Sequence, residues 1–111
     1  VVNRKWAVKL VTNAQMLALM ASRYPKESWN DVDILGVTVR ATRTIYLNTT
    51  MNTTTEELEH TFLHELGHAM LYANGVLGEH NEELVERLSG FLHQYEITKR
   101  GELNRGLESG A

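Results

Sequence analysis

The stretch EHTFLHELGHAMLY, Glu59 to Tyr72, sets three histidines at four-residue intervals: His60, His64 and His68. Residues four apart share one face of an α-helix. Only the last pair encloses a glutamate directly after its first histidine, as His64-Glu65-Leu66-Gly67-His68. On a helix, His64 and His68 can reach one metal ion, and Glu65, one residue round, sits beside that ion instead of coordinating it. This is the physical content of the H-E-x-x-H motif. Zinc brings the pKa of its water down towards ~7, and a neighbouring carboxylate can then take the proton during attack on a carbonyl. His60 has the same spacing to His64 but is followed by Thr61, which cannot serve as a base. His60 is therefore read as a solvated residue of the first turns.

The residues around the motif predict a packed element. Phe62, Leu63, Leu66, Ala69 and Met70 give the helix apolar sides. Gly67 lies inside it, where glycine costs up to ~1 kcal/mol relative to alanine. Close approach of another backbone, or of a substrate, would account for that glycine. Upstream, Thr53 with Glu56 and Thr54 with Glu57 both match a capping box, and early acids suit the helix dipole. The spacing predicts a helix from about Thr55 to Asn74, with Gly75 at its C-terminal cap.

Further out, TNAQMLALMASRY reads as a first helix, capped by Thr12 or Asn13 and ended at Tyr24-Pro25. Its apolar side is Met16, Leu17, Leu19 and Met20. From Ser28 to Asn48, β-branched residues spaced mostly by two predict two or three short strands. Gly36 marks a turn or bulge, RATR joins a hairpin, and the last strand ends at Asn48. A third helix begins near Glu79 to Asn81 and runs to about Thr98, with Leu84, Val85, Leu88, Phe91, Leu92 and Tyr95 as its apolar set. Residues 1–100 read as a single domain. The segment from Gly101 to Ala111 is polar and glycine-rich and is expected to be a flexible tail.

Composition narrows the chemistry. A chain of 111 residues suffices for one domain, and 42% hydrophobic content is ordinary for a globular one. A net charge of -3 and a pI near 5.9 give no electrostatic reason to expect nucleic acid or an anionic membrane as partner. There is no cysteine, so disulfides and thiolate ligands are excluded and any metal must be held by His, Asp or Glu. That also fits a reducing compartment, and the cytoplasm is the expected location. No apolar run approaches the ~20 residues that span a bilayer. VVNRKWAVKL is too short and too interrupted by charge for a signal-peptide core. Trp6 and Trp29 are read as packing residues.

TFLHELGHAMLYANG resembles the active-site helix of zincin metallopeptidases. One helix, a small sheet, the H-E-x-x-H helix and a further helix with acids resemble the compact zincins of phage and bacterial mobile elements. The ImmA/IrrE-type peptidases are relatives of that size. The close resemblance covers roughly Ile45 to Gln94. It implies an α+β fold of minimal zincin type, with three helices and a two- or three-stranded sheet. It also implies a bound Zn2+, hydrolysis of a protein or peptide substrate with Glu65 as general base, and a zinc site completed by a glutamate of the following helix, as in gluzincins. Asn74 stands where the metzincin pattern requires a third histidine, which excludes that variant.

The third ligand must then come from GEHNEELVERLSGF, with Glu79, His80, Glu82, Glu83 and Glu86 available. In related gluzincins the ligand glutamate is followed by apolar residues at about +2 and +5. Glu83 matches through Val85 and Leu88, and the expected metal set is His64, His68 and Glu83. Glu82 is the next choice: thermolysin-like enzymes carry an acid four residues after the ligand to orient a histidine, which is Glu86 from Glu82 but Arg87 from Glu83. The resemblance further implies that an edge strand before the catalytic helix binds the substrate backbone. TIYLN, Thr44 to Asn48, stands in that place, or else is a paired core strand. Tyr46, Tyr72, His80 and Tyr95 are available to stabilise an oxyanion. Regulatory proteins, often transcriptional repressors, are the targets of the ImmA/IrrE type. The competing readings are a zinc-binding interaction module without turnover, a purely structural zinc site and a chain that binds no metal.

Overall fold

The computed structural model describes residues 5–29 and 32–108. The chain runs β1 (Ala7–Val11), α1 (Asn13–Arg23), β2 (Gly36–Val39), β3 (Thr44–Asn48), α2 (Thr55–Ala73) and α3 (Glu82–Glu108). Among the described residues this is an α+β fold with three helices and one mixed three-stranded sheet in the order β1-β3-β2. Strand β1 runs parallel to β3, and β2 runs antiparallel to it. No helix among the described residues is long and apolar enough to cross a membrane.

Period-two alternation divides the sheet between two helices. Met16 and Met20 of α1 pack with Ile34, and Val37, Tyr46 and Trp29 close around them on one face. On the other face Ile45 and Leu47 meet Ala69, flanked by Trp6, Phe62 and Leu66 of the H-E-x-x-H side. Both tryptophans are thus packing residues, as expected. Met70, expected among the packed residues of α2, is exposed.

The caps follow the sequence closely. Thr12 caps α1 reciprocally with Gln15, and Thr54 accepts from the Glu57 N–H to start α2. Glu57 in turn accepts from the Thr53 N–H at 2.8 Å. Gly75 follows α2 with φ +84°, a conformation that favours glycine. RATR does join the hairpin, with Arg43 in the left-handed region at φ 48°.

Three expectations change. The strand β1 arises from AVKLV, whose exposed Val8 and Leu10 carry no amphipathic signal. With β1 on one side and β2 on the other, TIYLN is the central strand, which decides for the paired core strand over the edge. The third helix does not end near Thr98 but continues to Glu108, through Gly101 and Gly106. Charged pairs line this extension: Lys99 with Glu96, Arg105 with Glu102, and Arg100 reaching Glu59 of α2. Residues 109–111 of the expected tail lie outside the described residues.

A buried amide network fixes the segment that leads into β2. Asn48 is fully buried; its Nδ2 donates to the Ile34 carbonyl and to Asn13 Oδ1, each at 3.0 Å, and its Oδ1 accepts from the N–H groups of Thr50 and Met51. Asn52 donates to the Leu35 carbonyl at 3.0 Å and accepts from the Thr61 hydroxyl at 2.7 Å. Thr61 lies one turn before His64, so this network ties the approach to β2 to the histidine helix.

Candidate metal centre

Helix α2 brings His64, Glu65 and His68 together: each offers a ligand atom within 4.8 Å of the others. His60 is exposed one turn earlier and outside this group. Helix α3 supplies the acids. Its first turn is capped by Asn81, whose Oδ1 accepts from the Glu83 and Leu84 N–H groups. Its rotation is fixed by Val85, which is fully buried against Gly67 of α2. A Cβ at Gly67 would lie 3.3 Å from both the Val85 side chain and its carbonyl, so glycine is what lets the two helices approach.

That rotation decides which glutamate faces the histidines. Glu82 and Glu86 lie three residues before and one after Val85, on the side turned to α2. Glu82 Oε2 is 3.3 Å from His64 Nε2, and its Oε1 is 3.3 Å from His68 Nε2. Glu86 Oε1 is 2.6 Å from His64 Nδ1. Glu83, the expected third ligand, points outward and pairs with Arg87 at 2.6 Å. Val85 and Leu88, the apolar residues that follow Glu83 at +2 and +5, do pack against Gly67, but they leave Glu83 on the outer side; of the wider apolar set, Leu84, Phe91 and Tyr95 are exposed. The face toward α2 is instead mixed, with Val85 and Ser89 buried on it.

Glu82 lies close enough to both histidines to join them around a cation. Ligand atoms about 2.0–2.1 Å from zinc, set at tetrahedral angles, stand about 3.3–3.4 Å apart. Each Glu82 oxygen stands at such a separation from one histidine, Oε2 from His64 Nε2 and Oε1 from His68 Nε2. These separations exceed the usual charge-assisted hydrogen bond of about 2.7–2.9 Å, whereas the Glu86–His64 contact is as short as such a bond. Glu86 accepts from His64 Nδ1–H; in the neutral imidazole this leaves the lone pair on Nε2, the nitrogen that faces Glu82.

Glu65 is held differently. Its side chain is buried, and its Oε1 is 2.8 Å from the hydroxyl of Thr38 on β2. The same hydroxyl lies 2.9 Å from the Glu65 carbonyl. Burial pushes the Glu65 carboxyl above its ordinary range; the Thr38 hydrogen bond and His64 oppose this, and Glu82 adds to it. Burial also lowers the His68 imidazole, against the pull of Glu82 and with help from His64 and His80.

Strand β2 passes directly over this group. A Cβ at Gly36 would lie 2.8 Å from Thr61 Cγ2 and 3.1 Å from Glu65 Cγ, so Gly36 permits a close approach to α2 and is not a turn or bulge. The Asn48 N–H donates to the Leu35 carbonyl at 2.9 Å. By antiparallel alternation, Val37 and Val39 then bond to β3, and the main-chain groups of Gly36 and Thr38 turn toward the free edge. Of the four oxyanion candidates, Tyr72 lines the cleft between β2 and the two histidines, joined by Tyr24. Tyr46 packs in the core, Tyr95 is exposed, and His80 is buried behind His68.

Comparison of the chain with protein-family models, with curated proteins and with solved structures finds no match.

Proposed function

We propose that the chain is a zinc-dependent peptidase of gluzincin type, in which His64, His68 and Glu82 hold the metal and Glu65 is the general base. The observation that carries this reading is the Glu82 carboxylate lying 3.3 Å from both histidine Nε2 atoms, with the buried Glu65 carboxylate alongside. The assignment of Glu82 replaces Glu83, whose carboxylate is engaged by Arg87.

A zinc ion in this site supplies the Lewis acidity that makes water a competent nucleophile near neutral pH. The protein's own groups divide the remaining work. Thr38 holds Glu65 Oε1, which leaves Oε2 as the oxygen able to take a proton from water and return it to the departing amine. Glu86 holds His64 by its Nδ1. The outward main-chain groups of Gly36 and Thr38 can pair with an extended peptide, so β2, and not the central strand TIYLN, is the edge that would take the substrate backbone. Tyr72 is the side chain best situated to steady developing negative charge. By resemblance alone, the substrate is a regulatory protein in the cytoplasm.

Replacing Glu65 by Gln separates this reading from a zinc-binding module without turnover. The variant should retain zinc and lose peptide hydrolysis; undiminished function in the zinc-loaded variant would exclude the peptidase.

A further inference from the structure

Behind His68, in the connection between α2 and α3, lies His80, a buried histidine. Its Nε2 is 2.8 Å from the Val76 carbonyl oxygen, and its Nδ1 is 2.7 Å from His68 Nδ1. A carbonyl oxygen only accepts, so the hydrogen of the first contact belongs to His80 Nε2. In a neutral imidazole protonated there, Nδ1 carries a lone pair. Two ring nitrogens 2.7 Å apart need one hydrogen between them, and it must therefore sit on His68 Nδ1. The lone pair of His68 is thereby left on Nε2, the atom that faces Glu82.

We infer that His80 is a positioning residue that locks His68 in the tautomer able to bind a metal, with the Val76 carbonyl fixing the direction of the relay; this rests on His68 being a ligand. The surroundings hold the relay in place. The Val76 N–H donates to the Leu71 carbonyl at 3.0 Å, which ties Val76 to the end of α2. The His68 and His80 rings stack with centroids 5.0 Å apart, and the Tyr72 ring lies 4.3 Å from that of His80. The choice of acceptor has an electrostatic reason. His64 already leans on a carboxylate, Glu86, and Glu82 and Glu65 bring two more into the same space. A neutral imidazole behind His68 gives orientation without adding a fourth negative charge.

The tautomers can be read directly in metal-free protein by long-range 1H–15N correlation NMR at about pH 8.5, well above the ordinary imidazole pKa of about 6.5. The expected pattern is hydrogen on Nδ1 of His68 and on Nε2 of His80. Hydrogen on Nε2 of His68 would overturn the lock. Zinc affinity of variants gives the second reading. His80→Gln offers an amide oxygen to His68 and an amide N–H to Val76, and should stay within about threefold of wild type. His80→Phe keeps the ring but offers no acceptor, and should bind zinc about 10- to 100-fold more weakly, with mixed His68 tautomers. Wild-type affinity in a folded His80→Phe protein would overturn the proposal. Wild-type protein that binds no zinc but shows hydrogen on His68 Nδ1 would overturn the metal reading and uphold the lock.

Discussion

Glu82 of α3 spans the two histidines of α2, one carboxylate oxygen 3.3 Å from His64 Nε2 and the other 3.3 Å from His68 Nε2. Its neighbour Glu83 faces away, toward Arg87. Conservative replacement should therefore divide the two sharply. Glu82→Gln is expected to weaken zinc binding by 100-fold or more, on the order of 3 kcal/mol. Glu83→Gln should change it by less than about threefold, because an exposed i,i+4 pair contributes little. Competition titration against a chromophoric chelator reads both, and the reverse ranking would restore Glu83.

Thr38 donates to Glu65 Oε1 at 2.8 Å. A hydrogen bond to a charged group contributes about 1.5–3 kcal/mol, so Thr38→Val should lower kcat about 10- to 100-fold. Zinc affinity should stay unchanged, since Thr38 touches neither histidine. Because the Thr38 bond holds the Glu65 carboxyl down, its loss should also move the acid limb of kcat/KM to higher pH. A pH profile that superimposes on wild type would show that Thr38 does not act through Glu65.

Gly36 admits β2 to the surface of α2. Its replacement by Ala places a methyl 2.8 Å from Thr61 Cγ2 and 3.2 Å from the Tyr46 carbonyl, which cannot easily retreat. Overpacking of this kind costs about 1–3 kcal/mol. Denaturant unfolding of metal-free protein measures it, and a loss below about 0.5 kcal/mol would mean that β2 is free to move outward.

Much of this site is written locally. The pairing of His64 with His68 and the place of Glu65 beside them follow from helical periodicity within five residues of sequence. Thr54, Thr12 and Gly75 mark element ends through cap chemistry equally local in origin. The rotation of the third helix is not local: it is set by Val85 meeting Gly67, a contact between elements. The four-residue spacing of Glu82 and Glu86 matches their shared approach to the histidines, whereas Val85 and Leu88, which favour Glu83 by spacing, pack against Gly67 and leave Glu83 outside. Thr38 lies 27 residues from Glu65 and has no local mark at all. Of the two readings of TIYLN, edge or paired core strand, the second holds, because AVKLV pairs on its far side although it shows no alternation.

His68 sets a pH dependence in the metal-free protein. Burial lowers its pKa from the ordinary 6.5. Between that value and the lowered one, the unfolded chain holds more protons than the folded chain, so stability falls as pH falls through this window. Thermal unfolding from pH 7.5 downward should show the loss beginning near 6.5, with a shallower slope in His68→Gln. An identical slope in the two proteins would assign the effect to other groups.

The most direct measurement of the central claim is a crystal structure of the zinc-loaded protein, with the metal located by anomalous scattering at the zinc edge. The account predicts one zinc held by His64 Nε2, His68 Nε2 and the Glu82 carboxylate, with solvent in the remaining position and Glu65 beside it, uncoordinated. A fourth protein ligand closing the shell, or Glu65 itself bound to the metal, would contradict it.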